Sequence, residues 1–250
     1  MKRWLPPLLL LAGLIALWEL VVRTADVPDY LFPAPSAVAA ALRDDAGTLG
    51  DATLVTAREM LLGYLLALVL GLAFAVTLHF SAVLRRALLP LLVVSQTVPT
   101  VVLAPILAIL LGYGIGPKLV VVAIVCFFPI VVNAVDGLRA TNPELVRMMR
   151  TLHGTRWSLF RRVEFPGALP MIFSGARIAA TYAAVGAVFG EWAGSSEGLG
   201  FVMLQSQPSL DTAVIFASVA ILSLLALALY GAVTVAERLL VPWTREEAHA

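Results

Sequence analysis

Lys118-Leu-Val-Val-Val-Ala-Ile-Val-Cys-Phe-Phe-Pro-Ile-Val-Val-Asn-Ala-Val-Asp-Gly-Leu138 carries no charge between Lys118 and Asp136. Wound as a helix, a run of this length rises roughly 30 Å, the thickness of a bilayer's hydrocarbon core. Five further apolar runs flank it, at about 5 to 22, 60 to 80, 87 to 111, 167 to 190 and 212 to 236. The spacing therefore predicts an all-α integral membrane protein with six transmembrane helices. Composition agrees: 60% of the 250 residues are hydrophobic and 13% are charged, where a soluble domain has about 25% charged. Mean hydropathy is +0.94. The net charge is +1, and the cations are spread over short loops instead of massed on one face, which excludes a nucleic-acid partner.

Lys2 and Arg3 precede the first run, as in a signal peptide. Trp18 and Glu19 interrupt that run and no small-x-small cleavage site follows, so it reads as a retained transmembrane helix. Cys126 lies inside a span and defines no disulfide. Orientation follows from Lys and Arg in the short loops. With the N-terminus in the cytoplasm, that side holds Lys2, Arg3, Arg85, Arg86, Arg139, Arg147, Arg150, Arg156, Arg161, Arg162, Arg238 and Arg245. The other side holds only Arg23, Arg43, Arg58 and Lys118. Both termini and the 139–166 loop are expected in the cytoplasm.

That loop contains Thr141-Asn-Pro-Glu-Leu-Val-Arg-Met-Met-Arg-Thr-Leu-His-Gly-Thr-Arg-Trp-Ser-Leu-Phe-Arg-Arg-Val-Glu-Phe-Pro166. Asn142 is a good N-cap, Pro143 suits the first helical position, and Glu144 places negative charge in the first turn. Leu145, Met148, Met149 and Leu152 recur at i, i+3, i+4 and i+7 as one apolar stripe. Gly154 can end the helix, and Pro166 is expected to break the chain. Two uses remain open for the stripe: a helix lying on anionic headgroups, or a docking helix whose methionines suit an adaptable protein contact.

The loop resembles that of the membrane subunits of bacterial ABC importers, the binding-protein-dependent permease family. The family pattern runs Glu-Ala-Ala, three residues, Gly, nine residues, an aliphatic residue, any residue, then Leu-Pro. Anchored on Val163-Glu164-Phe165-Pro166, it places Glu-Ala-Ala on Arg147, Met148 and Met149 and the glycine on His153, with Gly154 one place later. The likeness covers about 55 to 240 and includes Gln96-Thr-Val-Pro-Thr-Val-Val-Leu-Ala-Pro105 and Phe127-Phe-Pro-Ile-Val-Val-Asn-Ala-Val-Asp-Gly-Leu138. A third stretch, Gly186-Ala-Val-Phe-Gly-Glu-Trp-Ala-Gly-Ser-Ser-Glu-Gly-Leu-Gly200, carries it further. These look like the branch importing nitrate, sulfonates, taurine and thiamine precursors, above all permeases for hydroxymethylpyrimidine.

The resemblance implies the type I importer permease fold, with an N-terminal helix and outer-surface segment over 1–54, a permease core over 55–240 and a cytoplasmic tail over 241–250. It implies a coupling helix over 143–162 and a coupling set of Glu144, Leu145, Met148, Met149, Leu152, His153, Gly154, Arg156 and Trp157. The implied partners are cytoplasmic ATPase subunits, a second permease copy, an extracytoplasmic substrate-binding protein and a small-molecule substrate. Import would cross the bacterial cytoplasmic (inner) membrane. ATP and Mg would sit on the partner ATPase and no cofactor on this chain. The chain itself has no Gly-x-x-x-x-Gly-Lys-[Ser/Thr] phosphate loop, so hydrolysis belongs elsewhere. Its three histidines are scattered and suggest no metal.

Pro99 and Pro105 interrupt the third span beside Gln96 and Thr97, which lipid penalises and a cavity or neighbouring helix accepts. Gln96, Thr97 and Pro99, with Glu191 at the far end of the fifth span, are the candidate translocation-path residues. Gly175, Ala179, Ala183 and Ala187 form a smooth face at four-residue spacing that suits either a homodimer or packing within the subunit. Arg177 reads as a snorkelling cation or an anion reader. His79 and Glu19 read as interfacial single polar residues. Pro35 to Arg43 reads as a short helix along the outer surface. The glycine-rich loop from Gly194 to Leu210 is either a seat for the binding protein or plain turns.

Overall fold

The computed structural model describes residues 5–245; Lys2, Arg3, His249 and the end of the 241–250 tail lie outside the described residues. Helices α1 (Leu5–Thr24), α2 (Pro35–Asp44), α3 (Ala46–Phe80), α4 (Ala82–Ser95), α5 (Thr100–Leu111) and α6 (Ile115–Arg139) come first. They are followed by α7 (Pro143–Thr151), α8 (Arg156–Leu159), a π turn (Phe160–Glu164), α9 (Phe165–Trp192), α10 (Leu199–Ser206) and α11 (Thr212–Leu240). Five helical stretches are long and apolar enough to cross a membrane, and α4 with α5 makes a sixth span if the bent pair is counted as one.

At the centre, α6 is held between α3 and α9. Both neighbours present small residues to it. On α9 the expected seam of Gly175, Ala179, Ala183 and Ala187 is buried within the subunit, so its use is intramolecular. On α3 an equivalent seam of Gly63, Ala67, Gly71 and Ala75 runs at the same spacing. Bulky β-branched residues of α6 fill the grooves: a Cβ on Gly63 would stand 2.5 Å from that of Val122, and one on Gly71 would stand 2.9 Å from Ile130. Gly186 is closed on the other side by the Val122 backbone at 2.9 Å. Close approach across such seams takes the place of hydrophobic driving force in lipid.

The third span, expected as one run over 87–111, is broken. Helices α4 and α5 meet at 99°. Gln96, Thr97 and Val98 bond back to the carbonyls of Val93, Val94 and Ser95, a tight 3₁₀-like end to α4. Pro99 then takes extended geometry as the N-cap of α5 and biases Val98 before it out of the α region. Pro105, also expected to break the ladder, stays inside α5, as Pro90 does inside α4.

The loop between α6 and α9 also differs from expectation. Instead of one helix over 143–162 it has α7, nine residues long, then a turn, α8 and the π turn. The Asn142 side chain accepts from the Glu144 N–H at 2.8 Å, as the sequence indicates. At the other end His153 adopts φ +56°, donating to the Arg150 carbonyl at 3.1 Å, while Gly154 donates to Met149 at 2.9 Å. This is a Schellman ending with histidine at the left-handed position. Gly154 serves by closeness: a Cβ there would lie 2.8 Å from the Met149 carbonyl oxygen. Pro166 does not break the chain. From Arg156 the backbone stays helical to Trp192, and the wide π turn just before Pro166 gives room where that residue has no N–H to donate.

At the ends of the bundle, two residues expected to be merely interfacial have partners. Glu19 accepts from the Ser36 N–H at 3.0 Å and its hydroxyl at 2.8 Å, placing a carboxylate at the start of α2. His79 Nε2 lies 2.9 Å from Glu164. Helix α2 buries Val38 and Ala41 and packs chiefly on α11.

Candidate functional site

Three places in the bundle gather the candidate residues. At the end bearing α7, Leu145, Met148, Leu152 and Trp157 are all exposed, Leu152 by 70%. Glu144 and His153 are exposed beside them, and Met149 alone turns inward, toward Gly154. The four-residue stripe thus divides into three outward side chains and one that closes the turn. The segment that follows α7 is fastened to the transmembrane bundle. Arg156 donates to the Phe80 carbonyl at 2.9 Å and its guanidinium lies 5.2 Å from the centre of that ring. Trp157 stacks on Phe80 and Phe160, and the His79–Glu164 pair joins α3 to the π turn.

Beside the α4–α5 break, an open cavity of about 660 Å³ lies on a face of the bundle where Tyr182 and Val185 are 50% and 43% exposed. Gln96 and Pro99 line it, with Phe128 and Asn133 from α6 and Tyr182 and Phe189 from α9. Thr97 lies outside the lining and turns its hydroxyl back to the Val94 carbonyl. Asn133 is held by donating to the Pro129 carbonyl at 2.8 Å. Gly175 permits that corner: a Cβ there would lie 2.6 Å from both the Asn133 Cβ and the Pro129 oxygen. Arg177 is not in the lining. It pairs with Glu237 of α11.

Glu191 sits apart from that cavity, at the end of the bundle away from α7. It is fully buried. The Thr56 hydroxyl donates to it at 2.6 Å and the Gly200 N–H at 2.5 Å. Thr56 in turn accepts from the Leu199 N–H at 2.8 Å. Gly198, at φ +104°, lies so close that a Cβ would meet the carboxylate at 2.3 Å. Next to this knot Lys118 pairs with Glu59 at 2.5 Å and donates to Ser195 at 2.7 Å. The two edge a second, polar cavity of about 500 Å³ with Arg58, Tyr113 and Glu197. The Gly194–Leu210 segment is therefore tied to α3 and α6 by side chains from both. The carboxylate is spent on this tie.

Sequence reasoning missed Asn133, Tyr182 and Phe128 at the cavity, and Thr56, Glu59 and Lys118 at the far end. Asn133 had a signal: a lone amide four residues after Pro129 inside an apolar span. Lys118 and Glu59 had a weaker one, opposite charges at the same end of two spans, and Lys118 had been counted among the loop cations.

The chain is similar to known permeases along nearly its whole length. The family described as the inner membrane component of binding-protein-dependent transport systems matches residues 65–246. A probable ABC transporter permease protein of Haemophilus influenzae is 39% identical over 228 residues, 91% of this chain and 93% of the relative. The formylaminopyrimidine transport permease protein of Halalkalibacterium halodurans is 36% identical over 97% of both chains. The riboflavin transport system permease protein of Chloroflexus aurantiacus is 36% identical over 92% of this chain and 87% of its own. An all-helical bundle of five to six spans, with its broken third span and its loop helix, is thus a member of a known group: the chain belongs to the binding-protein-dependent ABC transporter permease family.

Proposed function

We propose that the chain is the membrane subunit of an ATP-driven importer that carries a thiamine-precursor pyrimidine, such as hydroxymethylpyrimidine, across the bacterial cytoplasmic membrane. The termini and α7 face the cytoplasm. Leu145, Met148, Leu152 and Trp157 seat in a groove of an ABC ATPase, which binds ATP and Mg and hydrolyses the nucleotide. A second permease copy completes the translocation route, and an extracytoplasmic protein delivers substrate to the end where Glu191 ties down the Gly194–Leu210 segment.

The observation that carries the reading is the pairing of an exposed apolar face on α7 with the fastening of the segment right after it, at Arg156, Trp157 and Phe160, to the bundle. An apolar face that merely met headgroups needs no such bolt. A face that receives motion does, because displacement of α7 must reach the spans without being absorbed in the loop. The pyrimidine assignment rests on the relative named for formylaminopyrimidine and on the likeness of the three quoted stretches.

The experiment is uptake by the complex assembled with its ATPase and binding protein. Hydroxymethylpyrimidine should be imported in an ATP-dependent manner, ahead of taurine, an alkanesulfonate and nitrate. Met148→Glu or Leu152→Asp should abolish uptake by burying a charge at the docking face, while membrane insertion is unchanged. Normal uptake by these variants sinks the docking role, and uptake without any ATPase would make the chain a secondary transporter.

A further inference from the structure

We infer that the cavity beside the broken third span is the resting place of the transported molecule and accepts an uncharged, planar, nitrogen-containing heteroaromatic ring. The inference rests on the reading of the chain as an importer subunit and adds which residues hold the cargo and which charge class they admit.

Chemistry selects the class. No Asp, Glu, Lys, Arg or His lines the cavity. Arg177, the cation nearest in sequence to Tyr182 on α9, is engaged with Glu237. A sulfonate or nitrate held here would give up part of its hydration and meet no positive charge from this chain in return, an unfavourable exchange. A neutral ring gives up less. Its faces find Phe128, Tyr182 and Phe189, and aromatic pairs stack or meet edge to face.

Polar groups then read the ring's edge. The side chains of Gln96 and Asn133 each offer a carbonyl acceptor and an NH₂ donor, the complement of a ring nitrogen beside an amino group. Asn133 spends one N–H on the Pro129 carbonyl, which fixes its plane and leaves its oxygen free of that bond. Pro129, also in the wall, has no N–H to donate to the Val125 carbonyl one turn before it. Tyr182 adds a hydroxyl. Such groups have no business on a surface that meets lipid tails, where nothing satisfies them; around a polar-edged cargo they are satisfied. The volume of about 660 Å³ lies in the usual range for small-molecule sites, and leaves room for a two- or three-ring cargo as well as a single pyrimidine.

The test uses the complete complex in proteoliposomes with four probes: hydroxymethylpyrimidine, riboflavin, taurine and nitrate. Wild type should import a heteroaromatic probe and neither anion. Asn133→Leu and Tyr182→Ala should each lower that import about ten-fold, as loss of hydrogen-bonding or stacking partners does, with the amount of assembled complex unchanged. Tyr182→Phe keeps the ring, guards against misfolding, and should retain most uptake of a probe held by stacking. Unaltered import by Asn133→Leu and Tyr182→Ala overturns the site while leaving the importer reading intact. Import of riboflavin instead of the pyrimidine, lost in the same variants, keeps the site and replaces the cargo proposed above. Import of taurine or nitrate, or of none of the four, overturns the inference.

Discussion

Glu191 shows how much a single side chain can organise. Its carboxylate gathers a hydroxyl from α3 and an amide from α10, and Gly198 and Gly200 are small because they lie against it. Beside it, Lys118 and Glu59 form an ion pair whose carboxylate is almost wholly buried. Removing one partner of a buried pair leaves an uncompensated charge, at a cost of about 3–5 kcal/mol, whereas removing both often costs little. Lys118→Met should therefore lower the thermal stability of the detergent-solubilised protein sharply, and Lys118→Met with Glu59→Gln should recover most of the loss. A double variant as unstable as the single one would mean that Lys118 acts through Ser195 and not through Glu59. None of this knot was legible in the sequence as a knot. Thr56 and Glu191 are 135 positions apart, and local pattern holds no trace of a hydrogen bond formed by folding. The Gly186–Gly200 stretch did stand out by resemblance; the Glu191 carboxylate explains Gly198 and Gly200, while Gly190 and Gly194 lie against Lys118 and Tyr113.

At the scale of elements, what could be read was whatever local chemistry decides. The N-cap at Asn142, the proline at the start of α7 and the existence of five long apolar helices are local and were recovered, though α3 begins at Ala46, well before the apolar run at 60. What depended on a neighbour was not. The seam on α9 was visible but its use was open, and the matching seam on α3 escaped notice because glycine and alanine are ordinary in apolar helices. Only the Val122 and Ile130 side chains lodged against it give it meaning. Likewise one proline of three broke the α4–α5 span, the one preceded by a 3₁₀ ending, and the left-handed turn after α7 fell on His153 because the helix ends one residue earlier than the glycine suggests. The seam makes a sharp prediction. Gly63→Val forces a side chain into space already occupied by Val122 at 2.5 Å and should abolish recovery of monodisperse protein. Gly13→Val, where a Cβ would meet nothing within 4 Å, should leave it unchanged. Equal recovery of the two would show that α3 and α6 do not depend on close approach.

For the whole molecule, the long stretch from Arg156 to Trp192 joins the three places that matter. It begins at the proposed coupling surface, passes Tyr182 and Phe189 at the cavity, and reaches Glu191 at its far end. It packs along α6 throughout its seam, so α3, α6 and α9 are packed as one body. On the proposed reading, a push delivered through α7 to Arg156 and Trp157 has a short route to the cavity wall, provided that the Phe80 joint holds. That joint concentrates several contacts on one ring: the Arg156 guanidinium above it, and Trp157, Phe160 and His79 around it. Phe80→Ala removes the ring and leaves the backbone carbonyl that Arg156 also uses. On the proposed reading the complex should still assemble and hydrolyse ATP, because the outward face of α7 is untouched. Substrate moved per ATP hydrolysed should fall several-fold, since the displacement of α7 is now partly lost in the loop. The ratio is the quantity to measure, in proteoliposomes with the binding protein present. A proportional fall in hydrolysis and uptake would instead place Phe80 in the stability of the docking surface, and an unchanged ratio would move the transmission route to the continuous backbone of α8, the π turn and α9.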